Sequence, residues 1–381
     1  MASRVHPGAL GAAGTKSPKP VHRRHPAAKA ASSGGSSPHP KTPEMLLGVR
    51  SLLDEGKKVW LLDQYGVLHD GANAYPAAIE ATRELHASGA KLFIISNSSR
   101  RSGKTLKKLE PMGYDPEWFS GVITSGEITH RKLSVVGTDE DAVDDLPPDA
   151  TANERLDATF AALGDRCVHF TWSTRGSIPL DGLDLRTVVD VADADFVLAH
   201  GTETINGAGT SDAERAEGAE DVPIERMRTI LERAASRGLP LVVANPDIVT
   251  VGGESGLLPM PGTLAKWYAS MPGHGAIHLM GKPSAVIYET IMEMTGTGRE
   301  ETVAVGDSLE HDVAGARAAG VDCVFVCGGI HAEELGMNPA ELTAEEVGDG
   351  SGVEPPEVEA VERLAEEFEA TPTHAVPVFA W

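Results

Sequence analysis

The chain has 381 residues, 41% of them hydrophobic, and a formal net charge of −23 at pH 7. That is room for one large domain with an insertion, or for two domains, and no apolar run approaches the ~20 residues of a bilayer span. The charge is unevenly spread: residues 1–43 hold seven Lys and Arg and no acid, leaving 26 basic against 56 acidic residues beyond them. A body that acidic repels nucleic acid and anionic membrane, so neither is an expected partner, and an anionic ligand must be drawn by local groups.

Residues 1–43 are rich in Ala, Ser, Pro and Gly, carry scattered Arg and Lys, and lack hydrophobic periodicity. This is the composition of an organelle transit peptide, chloroplast ahead of mitochondrion, with a disordered tail on a cytoplasmic protein as the alternative. An alternation of strand and helix follows. Val59–Asp63 reads as a buried strand, Ala77–Ser88 as a helix closed by Gly89, Lys91–Ser96 as a second buried strand and Gly121–Ser125 as a shorter third. Such alternation predicts an α/β fold with a parallel, doubly wound sheet.

After an acidic, Pro-containing stretch (138–152) come strands at Cys167–Trp172 and Phe196–His200, a Gly/Thr/Asn loop, a helix at Ile224–Ala235 and a strand at Leu239–Ala244. Residues 127–256 therefore read as a separate α/β unit. The parallel-sheet rhythm returns with helices at Pro261–Ser270 and Ser284–Thr295, a strand at Thr302–Val305, a helix at Leu309–Ala319 and a strand at Cys323–Val326. Residues 336–381 form an acidic extension around one helix (Val358–Phe368), with an apolar end, Ala375–Trp381, suited to dock on the body. Three cysteines, Cys167, Cys323 and Cys327, make no disulfide framework, and the last two lie at an apolar run where packing is the expected role.

Four segments end a strand or begin a helix with a polar group, in chain order. They read Leu62-Asp63-Gln64-Tyr65-Gly66-Val67, Ile94-Ile95-Ser96-Asn97, Met280-Gly281-Lys282-Pro283, and Val305-Gly306-Asp307-Ser308 continuing to Asp312. Singly, each has a bland reading as a cap, a turn or a proline-started helix. Together they offer a nucleophile, a hydroxyl donor, one cation and a pair of metal-seeking carboxylates at the C-terminal edge of a parallel sheet, where α/β folds bind ligands.

In these motifs the chain resembles the haloacid dehalogenase (HAD) superfamily. It looks more narrowly like the class IIA branch, whose cap is inserted between the Ser/Thr and Lys motifs; Gly121–Gly126, Asn245-Pro246-Asp247 and Pro261-Gly262 resemble that branch as well. The resemblance covers residues 55–332. It implies a doubly wound, Rossmann-like core (44–126 plus 257–335) with an inserted α/β cap (127–256). It also implies that Asp63 attacks phosphorus and becomes an aspartyl phosphate. Mg²⁺ would be held by Asp63, Asp307 and the Tyr65 carbonyl, with Ser96 and Lys282 on the phosphoryl oxygens and Asp312 orienting Lys282 or metal-bound water. Asn97, Asn245 and Asp247 would contact a small phosphorylated metabolite. Oligomeric state stays open, a homodimer included.

These roles agree with general chemistry. Mg²⁺ takes hard oxygen ligands, phosphoryl transfer needs in-line positioning and charge neutralisation, and a carboxylate nucleophile splits hydrolysis into two steps. Tyr65 stands where most phosphatases of the superfamily carry a second Asp as general acid/base, and a phenol is a poor base at neutral pH. Three readings follow: a phosphatase with unusual proton handling, in which His69, Asp70, a cap residue or the substrate moves the proton; a non-catalytic binder of a phosphate ligand; and a dehalogenase, whose halide leaving group needs no proton but whose attack on carbon has no use for the metal carboxylate at Asp307.

Overall fold

The computed structural model describes residues 42–252, 256–338, 342, 350 and 352–381. The segment expected to be a transit peptide therefore lies outside the described residues, Thr42 and Pro43 apart. Among the described residues no helix is long and apolar enough to cross a membrane.

The nucleophile motif stands in the middle of a seven-stranded sheet. Its order is Glu44–Met45, His374–Val376, Asp322–Val326, Thr302–Gly306, Val59–Leu62, Lys91–Ser96 and Phe119–Thr124, and every pairing is parallel. Val59, Trp60, Leu61 and Leu62 are all fully buried, as expected of a parallel strand covered on both faces. Alternate residues serve opposite faces. Trp60 and Leu62 pack with Ala78, Ala81 and Leu85 of the helix Pro76–Ala87, whereas Val59 and Leu61 pack in the cluster holding Ile287, Tyr288 and Ile291 of the helix Val286–Thr295. Leu62 is in register with Val305 on one side and Ile94 on the other. Asp63, Asp307 and Ser96 consequently leave the sheet at one edge, at the point where the chain order reverses.

The C-terminal extension, expected to lie outside the core, is part of it. His374–Val376 pairs with Asp322–Val326 on one side and Glu44–Met45 on the other. Thr373 Oγ1 accepts from Cys323 N–H and donates to its carbonyl, at 2.8 and 2.9 Å. An unpaired Asp322–Val326 edge would leave backbone groups open, and the apolar end of the chain covers them.

A second, mixed sheet runs Ile277–Leu279, Leu241–Val243, Phe196–Ala199, Arg166–Thr171, Thr204–Ile205 and Glu220–Asp221, with Arg186–Thr187 also pairing with Arg166–Thr171. Both expected boundaries of the inserted unit move. The helix Ser125–Leu133 runs through the 126/127 boundary, and Ile128 and Leu133 pack in a cluster with Phe93 and Ile95 of the first sheet. At the other end, residues 257–279 belong to the second layer rather than the first. Leu264, Ala265 and Tyr268 of the helix Pro261–Ala269 pack with Met227 and Leu231 of the helix Ile224–Ser236, and Ile277–Leu279 is the parallel edge strand beside Leu241–Val243. A helix and a short strand after residue 256 fit either layer by pattern; the apolar faces they find decide.

The inserted sheet buries a polar chain. Asn206 Nδ2 donates to His169 Nδ1 at 2.8 Å, which leaves His169 Nε2–H to donate to His200 Nδ1 at 3.0 Å. This arrangement needs both imidazoles neutral. Burial pushes His169 well below its ordinary value, and burial pushes His200 from 6.5 to about 3. Between those limits the unfolded chain binds more protons than the folded one, so stability present above pH 6.5 is lost as pH falls toward 3. The thermal midpoint should drop on acidification from neutral pH to about pH 5. His200→Gln should lower the midpoint at neutral pH and flatten that dependence; an unchanged pH slope in the variant would contradict this account.

Candidate active site

Lys282 ties the strand ends together. It is 3% exposed, and its Nζ lies 2.8 Å from Asp63 Oδ1 and 2.6 Å from Asp312 Oδ1. Burial opposes the ammonium charge, but the Asp312 and Asp63 carboxylates outweigh it and hold Lys282 above its ordinary value. Asp312 sits on a π-helical turn, Leu309–Val313, that leads into the helix Ala314–Ala319; such turns recur at functional sites. Its second oxygen accepts from Ser308 N–H at 3.1 Å, so both of its oxygens are engaged.

Asp307 completes the cluster. One carboxylate oxygen from each of Asp63, Asp307 and Asp312 lies within 4.8 Å of the other two. Burial, followed by the charges of Asp63 and Asp312, raises the Asp307 carboxyl well above its ordinary value. Three carboxylates facing one ammonium leave excess negative charge in a buried place, and every donor is a hard oxygen. This is a donor set that fits Mg²⁺. Asp307 Oδ2 accepts from Ile330 N–H at 2.8 Å, leaving Oδ1 for a ligand, just as Asp63 keeps Oδ2 once Oδ1 is on Lys282.

Glycines make this packing of acids feasible. A Cβ on Gly66, at φ +76°, or on Gly329 would overlap Asp307 Oδ2; one on Gly306 would overlap the Asp312 carboxylate; and one on Gly281 would overlap Ser125 Oγ and Asn97 Oδ1. Gly66, Gly281 and Gly306 stand inside the motifs quoted above. Gly329 and the Ile330 amide are sixteen or more residues from any of them, and nothing in the local pattern marks them.

Tyr65 is divided between two roles. Its backbone precedes Gly66 and so runs beside Asp307, while its side chain is 53% exposed and meets the His69 ring edge-on with centroids 6.4 Å apart. His69 Nδ1 accepts from Gly71 N–H at 3.0 Å, and burial, opposed by the charges of Asp63 and Asp70, pushes the imidazole below its ordinary value. Asp70 caps a turn by accepting from Ala72 and Asn73 N–H at 2.8 and 2.7 Å. Burial works to raise its carboxyl, but these amides outweigh it and the carboxyl lies below its ordinary value. Neither side chain brings an acidic proton at neutral pH.

The expected substrate contacts lie together at the seam between the two sheets. Asn97 Nδ2 donates to Asp247 Oδ1 at 2.8 Å and to the Lys282 carbonyl at 3.0 Å. Asn245, buried, accepts from Asp247 N–H at 2.8 Å. Asn97, Asn245 and Asp247 thus engage one another as a junction between the two layers. Buried amides and a carboxylate at a seam find partners in each other before any ligand arrives. Ser96 Oγ accepts from Ser98 N–H at 3.3 Å and stands at the end of the strand beside Asp63.

Comparison with known proteins agrees with this geometry. The family model described as haloacid dehalogenase-like hydrolase matches residues 60–142, and one described as HAD-hydrolase-like matches residues 279–349. The two matches bracket the inserted sheet. The chain is 25% identical over 284 residues to the 5′-nucleotidase YutF of Bacillus subtilis, covering 73% of this chain and 90% of that protein. It is 24% identical over 276 residues to the acid sugar phosphatase of Staphylococcus haemolyticus, covering 72% and 86%. A crystal structure of a haloacid dehalogenase-like hydrolase from Brucella suis superposes with a TM-score of 0.52 at 25% identity, over 76% of this chain and 92% of that one.

Magnesium should raise the thermal midpoint of the protein, by an amount equivalent to about 2.7 kcal/mol at a hundredfold excess over Kd. Asp307→Asn should abolish the shift without lowering the metal-free midpoint, because it removes one of three crowded like charges. Gly66→Ala should abolish it and lower the midpoint as well. An undiminished magnesium shift in Asp307→Asn would remove Asp307 from the metal site.

Proposed function

As the chain belongs to the haloacid dehalogenase superfamily of hydrolases, we propose that it is a phosphatase for a small phosphate ester, with Asp63 as nucleophile. The observation that carries this reading is Lys282, buried between Asp63 and Asp312 with Asp307 alongside. A buried ammonium beside a carboxylate nucleophile receives a phosphoryl group as a point charge. The phosphatase and nucleotidase activities named for the two relatives support the same reaction class.

The chemistry runs in two displacements. One carboxylate oxygen of Asp63 forms a bond to phosphorus as the ester P–O bond breaks, the other staying available to the cation, and the alcohol departs with the bonding electrons. Water then attacks phosphorus, the P–O bond to Asp63 breaks, and the carboxylate returns as inorganic phosphate leaves. Lys282 holds a phosphoryl oxygen throughout, and the Ser96 hydroxyl donates to another. Asp312 keeps Lys282 charged and aimed. Mg²⁺, held by Asp63, Asp307 and the Tyr65 carbonyl with Asp312 behind them, would neutralise charge on the transferring group.

The weak point of this site is the leaving group. Tyr65 replaces an acid, and Asp70 is held ionised by its turn amides. The departing alcohol leaves largely unprotonated or takes its proton from solvent. Turnover by the pure protein is expected to require Mg²⁺, to vanish in Asp63→Asn, and to fall steeply from aryl to alkyl phosphates. Tyr65→Asp should raise alkyl ester turnover by about 10²-fold or more, the scale of general acid catalysis. Activity surviving Asp63→Asn would overturn the nucleophile; equal rates for aryl and alkyl esters would show that a proton donor is in place after all. Metal-independent halide release from a 2-haloacid would point instead to a dehalogenase.

A further inference from the structure

The body of this protein is acidic, yet the segment that follows the Ser96 motif is not. Residues 100–108 contain Arg100, Arg101, Lys104, Lys107 and Lys108 and no Asp or Glu. A run of cations beside a phosphoryl site in a chain of net charge −23 is a local attractor for anions. Lys108 lies near enough to His69 to act on its charge, which brings this segment round to the nucleophile loop.

The two arginines of the segment differ. Arg101 is held in a fork by Glu127, Nε to Oε2 at 2.9 Å and Nη2 to Oε1 at 3.1 Å, and serves the fold. Arg100 is exposed, and among the described residues no carboxylate pairs with it. Its backbone is fixed all the same. Its carbonyl accepts from Thr124 Oγ1 at 2.6 Å, Ser98 O accepts from Gly126 N–H at 2.9 Å, and a Cβ on Gly126 would overlap Ser99. The guanidinium therefore projects from a rigid loop.

A second arginine meets that loop from the inserted sheet. Trp172 follows the strand Arg166–Thr171, and its indole Nε1 donates to Ser99 Oγ at 3.2 Å. Arg175 stacks on the Trp172 ring with its Cζ 4.7 Å from the centroid, and likewise has no carboxylate partner among the described residues. Glu203 sets the loop between them by accepting from Ser173 and Thr174 N–H at 3.0 and 2.8 Å. Two anchored guanidinium-bearing loops thus converge through the Ser99–Trp172 contact, three residues beyond Ser96.

We propose that Arg100 and Arg175 form a second anion subsite at the seam between the two sheets, so that the preferred esters carry another anionic group, a carboxylate or a second phosphoryl group, besides the phosphoryl transferred at Asp63. The inference rests on the phosphatase reading for the identity of the first group. Planar guanidinium forks suit both anions, and the stack on Trp172 keeps Arg175 oriented. Lys282 takes the reacting phosphoryl, and the seam arginines select what is attached to it.

The test measures binding to the full chain carrying Asp63→Asn, which separates it from turnover. Three probes are compared by calorimetry with Mg²⁺ present: propyl phosphate, 3-phosphonooxypropanoate and propane-1,3-diyl bisphosphate. At least one of the two probes with a second anionic group should bind about tenfold tighter than propyl phosphate, the scale of one charge-assisted hydrogen bond, and which of the two does so identifies the anion. Arg100→Ala and Arg175→Ala should each cut that ratio severalfold, Arg175→Lys should restore part of it, and Arg363→Ala on the C-terminal helix should not alter it. Equal Kd values for all three probes, or a ratio unmoved by both seam variants, would overturn the subsite. A tighter second anion together with no turnover by wild-type protein would uphold the subsite and reject the phosphatase reading.

Discussion

The rest of the site depends on one buried ammonium. Lys282 is almost wholly removed from water, and an unpaired charge there would cost several kcal/mol. Asp63 and Asp312 compensate it, and in doing so they meet Asp307 from the neighbouring strand end. Removing either side of this balance leaves the other uncompensated. A buried pair of this kind adds little net stability over apolar packing, so its presence is better understood as preorganisation for a charged ligand than as a contribution to the fold.

That balance can exist only because the backbone approaches closely. Two of the three carboxylates lie against glycines that have no room for a side chain: Gly66 and Gly329 at Asp307, Gly306 at Asp312. The parallel register of Val59–Leu62 with Thr302–Gly306 and Lys91–Ser96 brings the strand ends level. The sheet supplies position, the glycines supply space, and the acids supply charge. Tyr65 is the exception within this arrangement, since its backbone belongs to the site and its side chain to the surface.

The two layers meet at the site. Asn97 links Asp247 of the inserted layer to the Lys282 carbonyl, and Trp172 reaches Ser99. Asp63, Ser96 and Asp307 stand at strand ends of the first sheet and Asp312 on the turn after one of them, while Lys282 arrives on the connection that follows Ile277–Leu279 of the second.

Much of this was legible in the chain itself. The strand Lys91–Ser96 was readable to the residue, and the strands around Asp63 and Asp307 to within one, because buried parallel strands are continuous apolar runs ended by polar residues. Three motif segments carried Asp63, Ser96 and Asp307 for the same reason, and Lys282 was marked instead by the glycine and proline that flank it. Short strands such as His374–Val376 and Ile277–Leu279 were not readable, since three residues have no periodicity and become strands only by pairing. The partners of Asn97 and Asp247, 150 residues apart, were likewise invisible. By itself the sequence determined which groups stand at the strand ends, a matter of local pattern. Only the tertiary structure decided which of them touch, because contact across 150 or 200 residues follows from how two sheets pack and from where glycine lets a backbone come close.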